Sequence, residues 1–191
     1  GHNGMIIDKT LEEAFAKGKP DVIVDFTNPK VIYENAKYVL ENGVNIVIGT
    51  TGLTAKQREE LAGIAEKTGA NGLVAPNFSL GAVLLMKVSA EISKYMPNAE
   101  IIELHHNHKY DAPSGTAVLT AKLINEAKAA ANVVATEDLT RESLPGARGA
   151  KVDDVTIHSV RLPGYVAHQE VIFGGYDEVL VVRHDSLSRL S

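Results

Sequence analysis

Short strand-like runs alternate with helical segments over the first 75 residues of this chain, and that alternation constrains the fold more than any other feature. Three apolar runs bounded by turn residues each predict a strand, the first of them buried: Asp21–Phe26, Val44–Ile48 and Gly72–Ala75. A helix is predicted to open at Asn28-Pro29, and a second one begins with a capping box of Thr54 and Gln57. Alternation at this pitch predicts βαβ units and a parallel sheet.

The pattern changes after Pro76. Helices are predicted over residues 79–95 and 116–131, with an extended segment over 100–108 between them and a mostly irregular segment over 132–153. Three strand-like runs follow with no helix between them: Val155–Arg161, His168–Phe173 and Glu178–His184. We therefore predict two domains, residues 1–78 and 79–191. The first is α/β with a parallel sheet, and the second is α+β with a mixed, mainly antiparallel sheet.

Composition excludes several classes of function. Lys and Arg number 19 against 24 Asp and Glu, a net charge of −5, so no broad basic surface for nucleic acid is expected. The chain has no Cys, which excludes disulfides and thiolate chemistry. Its longest apolar run, Leu80–Met86, is far shorter than a membrane span, and the first residues do not resemble a signal peptide. We expect a cytoplasmic protein with no membrane or nucleic-acid partner.

The densest polar cluster of the sequence lies at residues 103–111. On an extended strand, His105 and Lys109 would lie on one face, and His106 and His108 on the other. Three His and one Lys within five positions are typical of proton transfer near neutral pH, beside a fixed cation that can bind a carboxylate.

A turn and a predicted helix start follow this cluster directly, at residues 112–116. The unpaired amides at a helix N-terminus and the positive end of its dipole form an anion site, which Gly115 would let a ligand approach. Ser114 and Thr116 add hydroxyl groups. A His, a Lys and a helix N-terminus together predict a pocket for a small carboxylate substrate.

Three loops at the carboxyl ends of the predicted parallel strands could line a nucleotide crevice. They contain small or hydroxyl residues: Asp25–Thr27, Gly49–Gly52 and Ala75–Phe78. Neither a G-x-G-x-x-G nor a G-x-x-x-x-G-K-[ST] phosphate motif occurs in the chain.

Two other chemistries are weaker readings of the same residues. A metal-dependent hydrolase could use His106 and His108 as metal ligands, with Glu103, Asp111 or His184 completing the set. Two features argue against it: no His pair has the i, i+4 spacing of a helical zinc site, and Lys109 would repel a cation. Ser114 lacks the G-x-S-x-G elbow of a nucleophile.

The segment from Glu103 to Ala117, ELHHNHKYDAPSGTA, closely resembles the signature of the dihydrodipicolinate reductase family. Asp25–Thr27, Gly49–Gly52 and Ala75–Ser79 are similar to the coenzyme-side motifs of that family and occur in the same order. The resemblance implies reduction of 4-hydroxy-tetrahydrodipicolinate to tetrahydrodipicolinate by NADH or NADPH, on the diaminopimelate route to lysine. It also implies a Rossmann-like coenzyme domain, a substrate and tetramerisation domain, and hence a homotetramer.

Site roles are implied by the same resemblance. His105 would be the proton donor, and Lys109 the second acid/base or a substrate-carboxylate group. His106, Gly115 and Thr116 would hold carboxylates of a small dicarboxylate substrate. The implied coenzyme contacts are Phe26, Gly49, Thr50, Thr51, Ala75, Pro76, Asn77 and Phe78.

The sequence departs from the family pattern at both ends. The N-terminal strand with its Gly-rich turn and the C-terminal helix are not found in these 191 residues. We therefore expect a truncated coenzyme domain, and preference between NADH and NADPH stays open. The rival hypothesis is a non-catalytic dicarboxylate-binding or oligomerising remnant.

Overall fold

The computed structural model describes residue 4, residues 7–75 and residues 77–188. The chain divides into two compact units, Gly1–Pro76 and Asn77–Ser191, two residues before the predicted boundary. Within the described residues, no helix has the length and apolar character needed to cross a membrane.

The first unit is a three-stranded parallel sheet with helices. Its elements are α1 Leu11–Lys17, β1 Val22–Asp25, α2 Ile32–Glu41, β2 Asn45–Ile48, α3 Ala55–Thr68 and β3 Gly72–Val74, with strand order β1-β2-β3. Buried residues of α2, such as Ile32 and Val39, form a core with Ile46 and Ile48 of β2. The predicted parallel α/β unit is therefore present.

Two helices of this unit differ from prediction. The short helix α1 was not predicted, although Thr10 accepts a hydrogen bond from the Glu13 amide in the manner of a T-x-x-E cap. Helix α2 begins at Ile32 rather than at Asn28-Pro29, because the Asn28 side chain accepts from the Lys30 amide and holds a turn there.

The prediction that β1 is buried was wrong. Val22 and Val24 are 49% and 58% exposed. Successive side chains of a strand point to opposite faces, and the face that carries Ile46 and Ile48 is the one buried in the core of this unit. The predicted capping box of α3 is confirmed: Thr54 and Gln57 each accept a hydrogen bond from the other's backbone amide.

The second unit packs helices against one face of a five-stranded mixed sheet. Its elements are α4 Leu80–Ile92, β4 Asn98–His105, α5 Gly115–Ala131, β5 Ala150–Val152, β6 Val155–Arg161, β7 Ala167–Gly174 and β8 Val179–Ser186. The strand order is β5-β6-β4-β7-β8, and only the β4–β6 pair is parallel. The predicted mixed, mainly antiparallel sheet is confirmed.

Strand alternation decides which residues of β4 face the helices. Ile101 of β4 is fully buried with Ala121 and Ile124 of α5 and Phe173 of β7. Glu103 and His105 follow at intervals of two and lie on this same face. Glu103 and His105 thus lie at the end of the hydrophobic core between the sheet and its helices.

Candidate active site

The second unit contains a cavity of about 330 Å³ at the carboxyl end of β4. Its walls include four of the predicted site residues from the polar cluster and the helix start: His105, His106, Lys109 and Thr116. Further walls come from β7 and β8, including Gln169 and His184. The fold therefore brings these four residues together, whereas the predicted Gly115 is not among the residues that line the cavity.

The prediction that one extended strand places His105 and Lys109 on the same face was wrong. Strand β4 ends at His105, and the Lys109 amide donates to the His106 carbonyl across a turn. Alternation along one extended strand therefore does not place Lys109 beside His105. A turn returns Lys109 to the cavity, whereas His108 is not among the residues that line it.

Glu103 organises the inner wall of the cavity and is fully buried. Its Oε2 lies 2.5 Å from Nδ1 of His105 and accepts from Nη1 of Arg161 at 2.8 Å, while Oε1 accepts from Nη2 of Arg161 at 2.7 Å and from the Ser114 amide at 3.2 Å. Burial raises the pKa of this carboxyl, but the hydrogen bonds from His105 and Arg161 outweigh that effect and lower it to about 2.

Lys109 is paired with a carboxylate of its own chain. Its Nζ lies 2.7 Å from Oδ1 of Asp111. Burial raises the pKa of Asp111. The hydrogen bond and charge of Lys109, together with the amide of Gly115, have the larger effect, and the pKa is lowered. The carboxylate of Asp111 thus forms an ion pair with a lysine that lines the cavity.

The start of α5 is capped by Ser114, whose Oγ accepts from the Ala117 amide at 3.2 Å. Thr116 Oγ1 accepts from Nδ2 of Asn77 at 3.3 Å. A Cβ at Gly115 would meet no other atom within 4 Å, so contacts within the chain do not require glycine there. Close approach of a ligand to this backbone is one reason for a glycine at such a position.

Predicted coenzyme residues of the first unit lie at one edge of its sheet. Phe26, Gly49 and Ala75 directly follow β1, β2 and β3, whose carboxyl ends meet there because the strands are parallel. A Cβ at Gly49 would lie only 2.2 Å from Cε1 of Phe26. Glycine is therefore needed for the ring to lie against the backbone at this edge.

Thr50 and Thr51 differ in their surroundings. Thr50 is buried, and its hydroxyl donates to Oδ1 of Asp25 at 2.8 Å, whereas Thr51 is exposed. Asp25 also accepts from Asn35 and from the amide of Thr27. Burial raises the pKa of Asp25, but these hydrogen bonds lower it more. Asp25 is thus an organising residue of this edge.

Of the last three predicted coenzyme residues, Asn77 and Phe78 belong to the second unit. Pro76 lies outside the described residues. Asn77 lines the cavity of the second unit and bonds to Thr116, and Phe78 is 55% exposed. Their proposed contact with a coenzyme stays a prediction.

Sequence reasoning missed several functional candidates in the second unit. Arg161 carried no local signal, and Glu103 was considered only as a metal ligand, although its place two residues before His105 puts both on one strand face. His184, also considered for metal, instead lies 3.2 Å from Oγ of Ser79. Among the residues that the structure describes, no three His, Asp or Glu side chains are grouped to hold a metal ion.

Two family models cover nearly all of the sequence. The model of the dihydrodipicolinate reductase C-terminus matches residues 81–191, and that of the N-terminus matches residues 1–78. The chain belongs to the dihydrodipicolinate reductase family.

The sequence is also similar to individual reductases of this family. The 4-hydroxy-tetrahydrodipicolinate reductase of Streptococcus suis is 53% identical over 189 residues, which are 99% of this chain and 73% of that protein. The enzyme of Dictyoglomus turgidum is 54% identical over 88% of this chain and 63% of its own length.

A dipicolinate-bound dihydrodipicolinate reductase from Paenisporosarcina sp. TG-14 has a similar structure. The TM-score is 0.79 at 44% identity, over 95% of this chain and 68% of that one. GenD2 from gentamicin biosynthesis, solved with NAD, shares the fold at a TM-score of 0.57 and 15% identity, over 94% of this chain and 59% of that one.

The electrostatics of Glu103 predict a specific pH dependence of stability. Its folded-state pKa of about 2 lies below the ordinary value of 4.5, so its charge stabilises the folded chain above pH 4.5, and this contribution is lost as the pH falls towards 2. Glu103→Gln resembles the protonated group. We expect its deficit in unfolding free energy to be largest near pH 7 and to shrink between pH 4.5 and 2, measured by urea denaturation of both proteins. A deficit independent of pH would contradict the pairing.

Proposed function

We propose that this chain reduces 4-hydroxy-tetrahydrodipicolinate to tetrahydrodipicolinate with NADH or NADPH. The main supporting observation is the cavity that combines the imidazole of His105, the ammonium group of Lys109 and the start of helix α5, which lines the cavity through its N-cap Ser114. These groups suit a dicarboxylate that must be protonated while it is held. The related Paenisporosarcina enzyme, solved with dipicolinate, supports the choice of ligand.

Each cavity group has a role that follows from its chemistry. His105 lines the cavity. Once the 4-hydroxyl group has left as water and a double bond has formed to the neighbouring carbon, one of these two carbons would receive the hydride and His105 would donate a proton to the other. Lys109 and the amides at the start of α5 would bind the carboxylates, helped by His106 and by the hydroxyl of Thr116. When both carboxylates of a rigid ring are held, the ring is oriented for reduction. Such orientation accounts for a large part of the rate enhancement.

The coenzyme would bind at the carboxyl edge of the first unit's sheet. The exposed ring of Phe26 and the exposed Thr51 would contact a planar ligand there, and Gly49 lets that ring lie against the backbone. Thr50 would contribute its backbone, since its hydroxyl is bonded to Asp25. When bound, the nicotinamide supplies the hydride.

The function is tested by the oxidation of NADPH and NADH with substrate made in situ. Turnover supports a reductase. No turnover, with dipicolinate still bound in calorimetry, would favour the rival hypothesis of a remnant that binds dicarboxylates without catalysis.

Two cavity variants separate proton transfer from substrate binding. His105→Ala should lower kcat by roughly 10²- to 10⁴-fold with little change in the KM for coenzyme, because a general acid contributes that much. Lys109→Ala should lower kcat and also raise the KM for substrate, since a carboxylate loses its counter-charge. Steady-state kinetics with either coenzyme measures both. Full activity of His105→Ala would show that another group is the acid.

A variant of the first unit tests the coenzyme edge. Gly49→Ala places a methyl group where the Phe26 ring lies, so the ring must move. We expect the KM for coenzyme to rise roughly tenfold, which corresponds to about 1.4 kcal/mol, with the KM for substrate unchanged. Gly63→Ala is the control, because a Cβ on that helical residue meets no atom within 4 Å. Equal effects of the two variants would argue against this edge.

The proposed assembly is a homotetramer of 20.5 kDa chains, in the cytoplasm. The sheet face of the second unit that points away from its helices carries apolar side chains, including Ile172 paired with the half-exposed Val181. Apolar surface of this kind is typical of an interface. Val181→Asp should lower the molar mass measured by light scattering, whereas Val134→Asp, at an exposed site outside the sheet, should not.

A further inference from the structure

Strand β4 presents a carboxylate and an imidazole side by side at the cavity. Glu103 and His105 lie on the same strand face, and Oε2 of Glu103 is 2.5 Å from Nδ1 of His105. Glu103 is fully buried, while the His105 side chain is 14% exposed and lines the cavity. The carboxylate thus lies behind the ring, on the side of the protein interior.

This carboxylate is itself held from two other elements. Arg161 at the end of β6 binds both of its oxygens in a bidentate pair, and the amide of Ser114 at the start of α5 binds one of them. Arg161 also donates to the carbonyl of Asp111. These donors fix the carboxylate in one orientation, and it stays ionised at neutral pH.

A fixed carboxylate determines which nitrogen of the ring carries a proton. An ionised carboxylate only accepts hydrogen bonds, so Nδ1 of His105 keeps its proton in both the neutral and the cationic ring. Nε2 is then the nitrogen that gains and loses a proton. That is the arrangement a histidine needs to donate a proton to a molecule in the cavity.

We propose that Glu103 is a positioning residue for the reduction, holding His105 in the Nδ1–H tautomer with Nε2 as the proton-donating atom. Arg161 and Ser114 fix Glu103 in turn. The inference rests on the proposed function, because it takes His105 as the proton donor. It adds the group that sets the tautomer and the ring orientation.

A merely structural role for Glu103 predicts different behaviour. Its contacts join β4, β6 and α5, so any substitution could loosen the unit and lower activity without changing the tautomer. The chain provides a matched control on the same strand. Glu100 lies 2.8 Å from Nε2 of His158 and pairs with Arg148, a second Glu–His–Arg cluster whose members are not among the residues lining the cavity.

The experiment combines kinetics with the nitrogen-15 spectrum of the histidine-labelled 191-residue chain, in which the His105 signals are assigned by their loss in His105→Ala. In the unmodified protein, neutral His105 should be the Nδ1–H tautomer. Glu103→Gln should shift it to the Nε2–H form or to a mixture, and should lower kcat roughly 10²-fold with less than a threefold change in substrate KM. Glu103→Asp should restore part of both. Glu100→Gln should leave the tautomer and kcat unchanged.

Three results would overturn the proposal. One is an Nε2–H tautomer of His105 in the unmodified protein. This measurement does not depend on whether any variant folds. The second is Glu103→Gln with an unchanged kcat, and the third is a lower kcat with the Nδ1–H tautomer retained. If the unmodified chain shows no turnover, the proposed function fails instead, and the spectra alone still report whether Glu103 sets the tautomer.

Discussion

A carboxylate removed from water must be surrounded by donors, and the second unit of this protein is arranged around one such group. Glu103 is fully buried, and an isolated charge there would cost several kcal/mol. Arg161, Ser114 and His105 satisfy it, and they come from the end of β6, the start of α5 and the end of β4. One charge thus joins the ends of two strands to the start of a helix, and two of its donors, His105 and Ser114, line the cavity.

Much of this architecture could be predicted because the signals that encode it are local. The capping box at Thr54, the alternation of strands and helices before residue 78, and the three strands with no helix between them each depend on residues close in sequence. The same is true of the candidate pocket. His105, Lys109 and Thr116 lie within twelve positions, so a turn and a helix start suffice to bring them to one cavity.

What could not be predicted depends on register and on exposure. Arg161 faces His105 only because β6 pairs with β4 in a parallel register, which no pattern near either residue specifies. A turn replaces the expected strand after His106. It is closed by a hydrogen bond from the amide of Lys109 to the carbonyl of His106. The exposure of Val22 and Val24 depends on which face of the sheet is packed, and an apolar run alone does not distinguish the two faces.

The pair of Lys109 with Asp111 changes what an entering carboxylate gains. A ligand that takes Lys109 has to displace a carboxylate that is tethered two residues away, so its electrostatic gain is the difference between two ion pairs rather than the whole of one. Competition from within the chain disfavours molecules that offer negative charge alone. Net affinity then has to come from the remainder of the molecule, through its shape and its contacts with the other walls, so discrimination among small anions becomes a matter of fit rather than of attraction.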